Sequence, residues 1–195
     1  MTDENGTTDD TRSMRERMLA GDDYLADDPE ILADVARRED LQHRINTLHP
    51  SQADERRALL TELLGAFGEG SDIRTPFYCD LGYQTRIGAR SFVNYGMQCL
   101  DVGAVTIGDD VLIGPGVQLL TPTHPTEPGA RRAKWEGGQP ITIGDNVWLG
   151  GGVIVCPGVT IGANTVVGAG SVVVRDLPAD VVAVGNPARV VRALD

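Results

Sequence analysis

A chain of 195 residues with 41% hydrophobic side chains can bury one well-filled core plus an appendage, and is too short for two full domains. Its net charge of −11 sets it against nucleic acid, whose phosphates require basic patches. No stretch approaches the roughly 18–20 apolar residues that span a bilayer, and the acidic, polar start lacks the basic-then-apolar order of a leader, so a cytoplasmic protein with no membrane partner is expected.

Lys134 is the sole lysine among the basic residues, and aspartate outnumbers glutamate. A surface so rich in carboxylates stays soluble where salt screens their repulsion, which points to a halophilic source. Cys79, Cys99 and Cys156 are widely spaced and form no C-x-x-C pair, so buried thiols are expected rather than a disulfide framework or a zinc knuckle.

Residues 1–11 are polar and Asp/Thr-rich and read as a disordered tail. Residues 12–70 form a helical segment. After "RSMRERMLAGDDY", one helix is capped by Asp28, has Pro29 in its first turn, and carries a stripe of Ile31, Leu32, Val35, Leu41, Ile45 and Leu48. A second has Ser51 as N-cap and a stripe of Leu59, Leu60, Leu63, Leu64 and Phe67. His43 and His49 lie here without a partner motif and read as solvated or helix-terminal.

Over residues 71–187 the period changes to six. Leu81, Ile87, Val93 and Cys99, then Ile107, Ile113 and Leu119, then Ile143, Leu149, Val155, Ile161, Val167 and Val173 recur in phase, many followed by glycine. A helix of 3.6 residues per turn cannot hold that period on one face, and a plain strand repeats at two. A parallel β-helix can: three hexapeptides close a coil of about 18 residues, and each inward aliphatic stacks on the next coil about 4.8 Å away. Glycine, Asn or Asp after the stacked residue suits strained corners.

The phase slips by two residues near "DVGAVT". Residues 120–140 lack the repeat and form a protruding loop that carries His124, and long loops in compact domains are usually functional. Residues 188–195 read as a C-terminal extension.

"RERMLAGDDY" with "DDPE", then "PFYCDLGYQTRIGARSFVNYG", "LDVGAVTIGDDVLIGPGVQLLTPTHP" and "QPITIGDNVWLGGGVIVCPGVTIGANTVVGAGSVVVRDLPADVVAVGNPARVVR" resemble the maltose and galactoside O-acetyltransferases of the hexapeptide-repeat superfamily, from about residue 12 to 192. The resemblance implies a mainly β fold, a left-handed parallel β-helix with a small N-terminal helical segment. It further implies a homotrimer with acetyl-CoA as co-substrate in the groove between neighbouring prisms, and no catalytic metal.

Moving acetyl from a thioester to a hydroxyl requires a base, a donor for the developing oxyanion, and a clamp on both reactants. The "THP" match assigns the base to His124, whose residue type titrates near neutrality and which "TPTHP" holds between two prolines. It should lie in the seam between adjoining subunits.

The resemblance places Asn94 near the acetyl and acceptor groups, with Gly96 where the family has a second asparagine. It places Asp80 and, more weakly, Asp101 at the acceptor, and Glu136 where it could orient His124. Trp135 and Trp148 offer flat surfaces. Pantetheine is expected along Gly151 and Ala169, and adenine and phosphates near Val174, Arg175, Arg189 and Arg192. Direct attack without an acyl-enzyme is expected; Cys79 would be the thiol of a two-step route.

A γ-type carbonic anhydrase shares such a prism but needs three histidine ligands, and His124 stands alone in the repeat region. A non-catalytic assembly scaffold would explain neither a histidine loop nor the arginines. Within the acetyltransferases the acceptor stays open: a sugar, another hydroxyl or amine compound such as a xenobiotic, or a sugar nucleotide.

Overall fold

The computed structural model describes residues 10–195, so residues 1–9 of the tail expected over 1–11 lie outside the described residues. Asp10 is tied to Arg12 at 2.7 Å and to Arg17 at 3.4 Å.

The period of six produces a parallel β-solenoid with three faces. On the first face Ile73, Val93, Ile113, Leu149, Val167 and Ala183 stack in register. On the second the column is Cys79, Cys99, Leu119, Val155 and Val173. On the third it is Phe67, Ile87, Ile107, Ile143 and Ile161. All but Phe67 are buried, and they form one continuous core.

Leu81 does not belong to these columns. The two-residue slip seen after Cys99 occurs one coil earlier as well, after Cys79, so Cys79 takes the inward place and Leu81 packs outside with Met18, Tyr24, Ile31 and Val102.

The glycine following a stacked aliphatic is needed for close approach: a Cβ on Gly144 would lie 2.7 Å from the backbone nitrogen of Ala163 in the next coil. Left-handed backbone falls two residues further on. Between the third and first faces Arg90, Asp110, Asn146, Asn164 and Asp180 all have φ between +56° and +61°. L-residues adopt that region at a cost. Here coil-to-coil bonds offset it: Arg90 to Asp110 at 2.7 Å, Asn146 to Asn164 at 3.0 Å, and Asn164 to Asp180 at 2.7 Å.

Both ends are closed. Helices α1 (Met14–Ala20), α2 (Pro29–Thr47) and α3 (Ala53–Leu63) precede the prism, which begins at the strand Ala66–Phe67 rather than at 71. Asp28 caps α2 as expected, accepting from the Glu30 N–H at 2.9 Å. Ser51 does not cap α3. Its hydroxyl bonds His49 Nδ1 at 2.8 Å, and Gln52 is the N-cap residue. Leu32 is exposed and lies off the α2 stripe.

α2 and α3 supply the bonds that the first coil lacks below it. Asn46 bonds both the N–H and the C=O of Phe77 at 2.9 Å, Gln42 accepts from the Cys79 N–H at 2.9 Å, and Arg57 donates to the carbonyls of Ser71 and Gly68 at 2.9 Å. At the other end, within the C-terminal extension, the strand Arg189–Ala193 folds antiparallel onto Val181–Val184. Among the described residues no helix is long and apolar enough to cross a membrane.

Candidate active site

The corner between the second and third faces is built around Asp101. Its side chain is fully buried; Oδ1 accepts from the N–H groups of Asp80, Leu81 and Gly82 at 3.1, 2.9 and 3.2 Å, and Oδ2 from the Thr85 hydroxyl at 2.9 Å. Burial pushes its pKa up, while those bonds favour the ionised form. Asp101 therefore shapes the turn from beneath. The acceptor contact expected of it is corrected, because no part of the carboxylate is accessible.

The turn presents Asp80 to a cavity of about 170 Å³ whose walls include Tyr24, Glu136, Met18, Ile31 and Val102. The Asp80 carboxyl is pushed up to about 6, chiefly by burial and then by the neighbouring Asp101 charge, with Glu136 adding a smaller push and Arg38 opposing. Arg38 fixes the same residue's backbone by donating to its carbonyl at 2.9 Å.

The excursion after Leu120 has its own order. Pro122–Thr123 pairs antiparallel with Trp135–Gly138, whose other edge pairs with Tyr24–Leu25. Between these strands sits α4 (Pro128–Arg132), capped by Glu127, whose carboxyl is held below its ordinary value by the Gly129 and Ala130 N–H groups. Thr121 anchors the base, its hydroxyl accepting from the Gly103 N–H at 2.8 Å and its carbonyl from the Gln139 N–H at 2.9 Å.

His124 follows the first of these strands. Its Nδ1 lies 3.9 Å from Glu136 Oε1, too far for a formed hydrogen bond, and its side chain is 55% exposed in the single chain. The other Glu136 oxygen accepts from the Tyr24 hydroxyl at 3.2 Å. Tyr24 is buried, and its phenol is pushed upward by burial and by the Glu136 charge. His124, Glu136 and Asp80 thus share one corner.

Asn94 does not join them. It lies between the first and second faces, where its Oδ1 accepts from the Tyr95 N–H at 2.8 Å. Gly151 and Ala169 follow the Leu149 and Val167 steps of the same column, so they share the Asn94 corner. Val174 and Arg175 are exposed on the His124 corner, and Arg189 and Arg192 are exposed on the closing strand. None of these three arginines forms an ion pair with another described residue.

Two family models match the chain: the maltose acetyltransferase hexapeptide capping motif over residues 17–68, and the bacterial transferase hexapeptide of six repeats over residues 140–175. Nodulation protein L of Rhizobium leguminosarum bv. viciae is 51% identical over 180 residues, 92% of this chain and 95% of that protein. The crystal structure of a maltose O-acetyltransferase from Clostridium difficile 630 superposes with a TM-score of 0.94 at 39% identity, covering 95% of this chain and all of that one. A galactoside acetyltransferase in complex with coenzyme A superposes at 0.90 with 38% identity, covering 94% and 92%.

The chain belongs to the maltose/galactoside O-acetyltransferase family. It is an acetyl-CoA-dependent acetyltransferase.

The acetyltransferase's own residues fit that co-substrate. Gly152 and Gly170 leave open space where a Cβ would stand, and a Cβ on Gly151 would meet only Pro115 at 3.4 Å, so backbone is bare along that ledge. The unpaired arginines suit phosphates. Among the described residues no group of three or more His, Cys, Asp or Glu is placed to hold a metal ion. Cys79 and Cys99 are buried, and burial pushes both thiols well up, away from the thiolate a two-step transfer requires.

Sequence reasoning missed Tyr24 and Thr85. Thr85 sits inward at the start of its strand, where a hydroxyl among aliphatics hinted at a buried acceptor. Tyr24 meets a partner 112 residues away and carries no local signal.

Proposed function

We propose that this acetyltransferase moves acetyl to a hydroxyl group of a sugar, with His124 as general base. The observation that carries the reading is the cavity in which two carboxylates, Asp80 and Glu136, and the Tyr24 phenol meet apolar walls, with His124 Nδ1 beside it at 3.9 Å from Glu136. Such a mixture suits a hydroxylated molecule with apolar C–H faces.

Bound acetyl-CoA supplies the activated acetyl thioester. His124 Nε2 takes the acceptor's hydroxyl proton as its oxygen attacks, then gives the proton to the departing sulfur. Glu136, held by Tyr24, faces Nδ1 and favours the tautomer with its proton there. Asp80 accepts from sugar hydroxyls, and the Asn94 amide donates to the carbonyl oxygen as charge builds. The bare ledge at Gly151 and Ala169 supports a pantetheine path, and Val174, Arg175, Arg189 and Arg192 the nucleotide end. Dependence on acetyl-CoA supports a cytoplasmic location.

In one chain the His124 and Asn94 corners are different edges of a three-sided prism, so a complete site needs a second copy. A homotrimer closes three such seams at once and encloses the half-exposed imidazole.

His124→Ala should lower turnover by about a hundredfold or more, and undiminished turnover would exclude the base. Mixing His124→Ala with Asn94→Ala subunits should restore activity if the two residues act from different chains. Mixtures as inactive as their parents would place both in one chain.

A further inference from the structure

One coil below Asn94, on the same corner, lies a larger cavity, of about 360 Å³, lined by Arg56, Asp72, Arg74, Tyr95, Leu48 and Pro50. Arg74 holds in the first coil the place that Asn94 holds in the second: Ile73 pairs with Val93, and the Arg74 N–H donates to the Val93 carbonyl at 2.9 Å. Adjacent coils are separated by about 4.8 Å. The cavity is therefore a direct neighbour of the residue read as handling the acetyl and acceptor groups.

Its chemistry is that of a saccharide subsite. The Tyr95 ring is 52% exposed and offers a flat apolar surface. The Arg74 guanidinium stands 5.8 Å from that ring and 5.6 Å from the Phe92 ring, and donates to the Tyr95 hydroxyl oxygen at 3.2 Å. That leaves the phenolic proton free to donate outward. Asp72 lies 3.2 Å from Arg56 and 3.5 Å from Arg74, making a row of fixed donors and acceptors along one wall. Arg57 and the Arg56–Asp72 pair already tie α3 to the first coil; the exposed ring and the second arginine are surplus to that task.

We propose that this cavity is a second sugar subsite, and that the acceptor is an oligosaccharide whose next residue stacks on Tyr95 while its hydroxyls engage Arg74 and Asp72. The inference rests on the sugar O-acetyltransferase reading and narrows its substrate class to chains of two or more units.

The test is acetyl-CoA-dependent release of CoA with acceptors of one, two and three units from α-linked glucose, β-linked glucose and glucosamine series. In at least one series kcat/KM should rise about tenfold or more from one unit to two, the scale of one stacked ring with its hydrogen bonds. Tyr95→Ala and Arg74→Gln should each bring that ratio close to one, with KM for acetyl-CoA unchanged. Tyr95→Phe, which keeps the ring and removes the hydroxyl, should retain part of it and serves if the alanine variant does not fold. Turnover with no gain from length, or a gain that survives both substitutions, overturns the subsite and leaves the sugar reading standing. No turnover with any saccharide overturns both.

Discussion

The hydroxyl of Tyr24 and the carboxylate of Glu136 meet at 3.2 Å, joining the N-terminal segment to the loop that carries His124. Each sits opposite the other in an antiparallel pair, so backbone register and side-chain bond enforce the same placement. Tyr24→Phe keeps the buried ring and releases Glu136. The variant should lose about 1–2 kcal/mol in urea unfolding, the scale of a hydrogen bond to a charged group, and about tenfold in kcat through misplacement of a reacting group. In a Glu136→Gln background the added effect on kcat should be small. Full additivity would mean that Tyr24 acts elsewhere.

Asp101 satisfies three backbone donors with one oxygen. Asp101→Ala orphans all of them inside the protein and should destabilise by about 4 kcal/mol. Asp101→Asn keeps the Oδ1 acceptor and lets the Thr85 hydroxyl turn to accept, so it should cost about 1 kcal/mol. Equal losses in the two variants, read by chemical denaturation, would show that the three-bond arrangement is unimportant.

Asp80 holds its proton up to about pH 6, against an ordinary 3.8, because it is buried and lies beside the Asp101 charge. Between those values the folded state binds more protons than the unfolded, so stability falls as pH rises through the window, and the full cost is present above about 6. Asp80→Asn should therefore raise stability by about 3 kcal/mol at pH 8 and by almost nothing at pH 3.5, while weakening acceptor binding. Melting curves at both pH values test the sign; a gain confined to acid would reverse it.

Two glycines separate contact from conformation. A Cβ on Gly144 would meet the Ala163 nitrogen at 2.7 Å, whereas Gly116 has φ +68° and nothing within 4 Å of that position. Gly144→Ala must force two coils apart and should cost about 3 kcal/mol. Gly116→Ala carries only the left-handed penalty of about 1 kcal/mol. Thermal melts that rank them the other way would refute this division.

The core was legible because inward aliphatics such as Val93, Ile113 and Leu149 recur with little noise, and stacking tolerates few alternatives. Leu81 misled for a definite reason: a two-residue insertion preserves aliphatic character while shifting which residue points inward. Helix α1, inside the expected helical segment, carries a readable signal in Ser13 and Glu16, which form a capping box. His124, Glu136 and Asp80 stood out through family motifs, and the fold brings them to one corner. That Asn94 sits on another corner is invisible in a linear reading, since it depends on which face each hexapeptide occupies. Asp101 looked like a pocket residue because chain proximity to Asp80 does not reveal which of two carboxylates lies beneath the other.

A stack of parallel strands has no intrinsic stopping point, and its exposed rims are what amyloid-forming segments exploit to recruit copies end upon end. In this protein the side chains of Asn46, Gln42 and Arg57 occupy one rim, and the returning strand Arg189–Ala193 covers the other. Axial growth is thereby closed off, which leaves the flanks of the prism as the surfaces open to another copy.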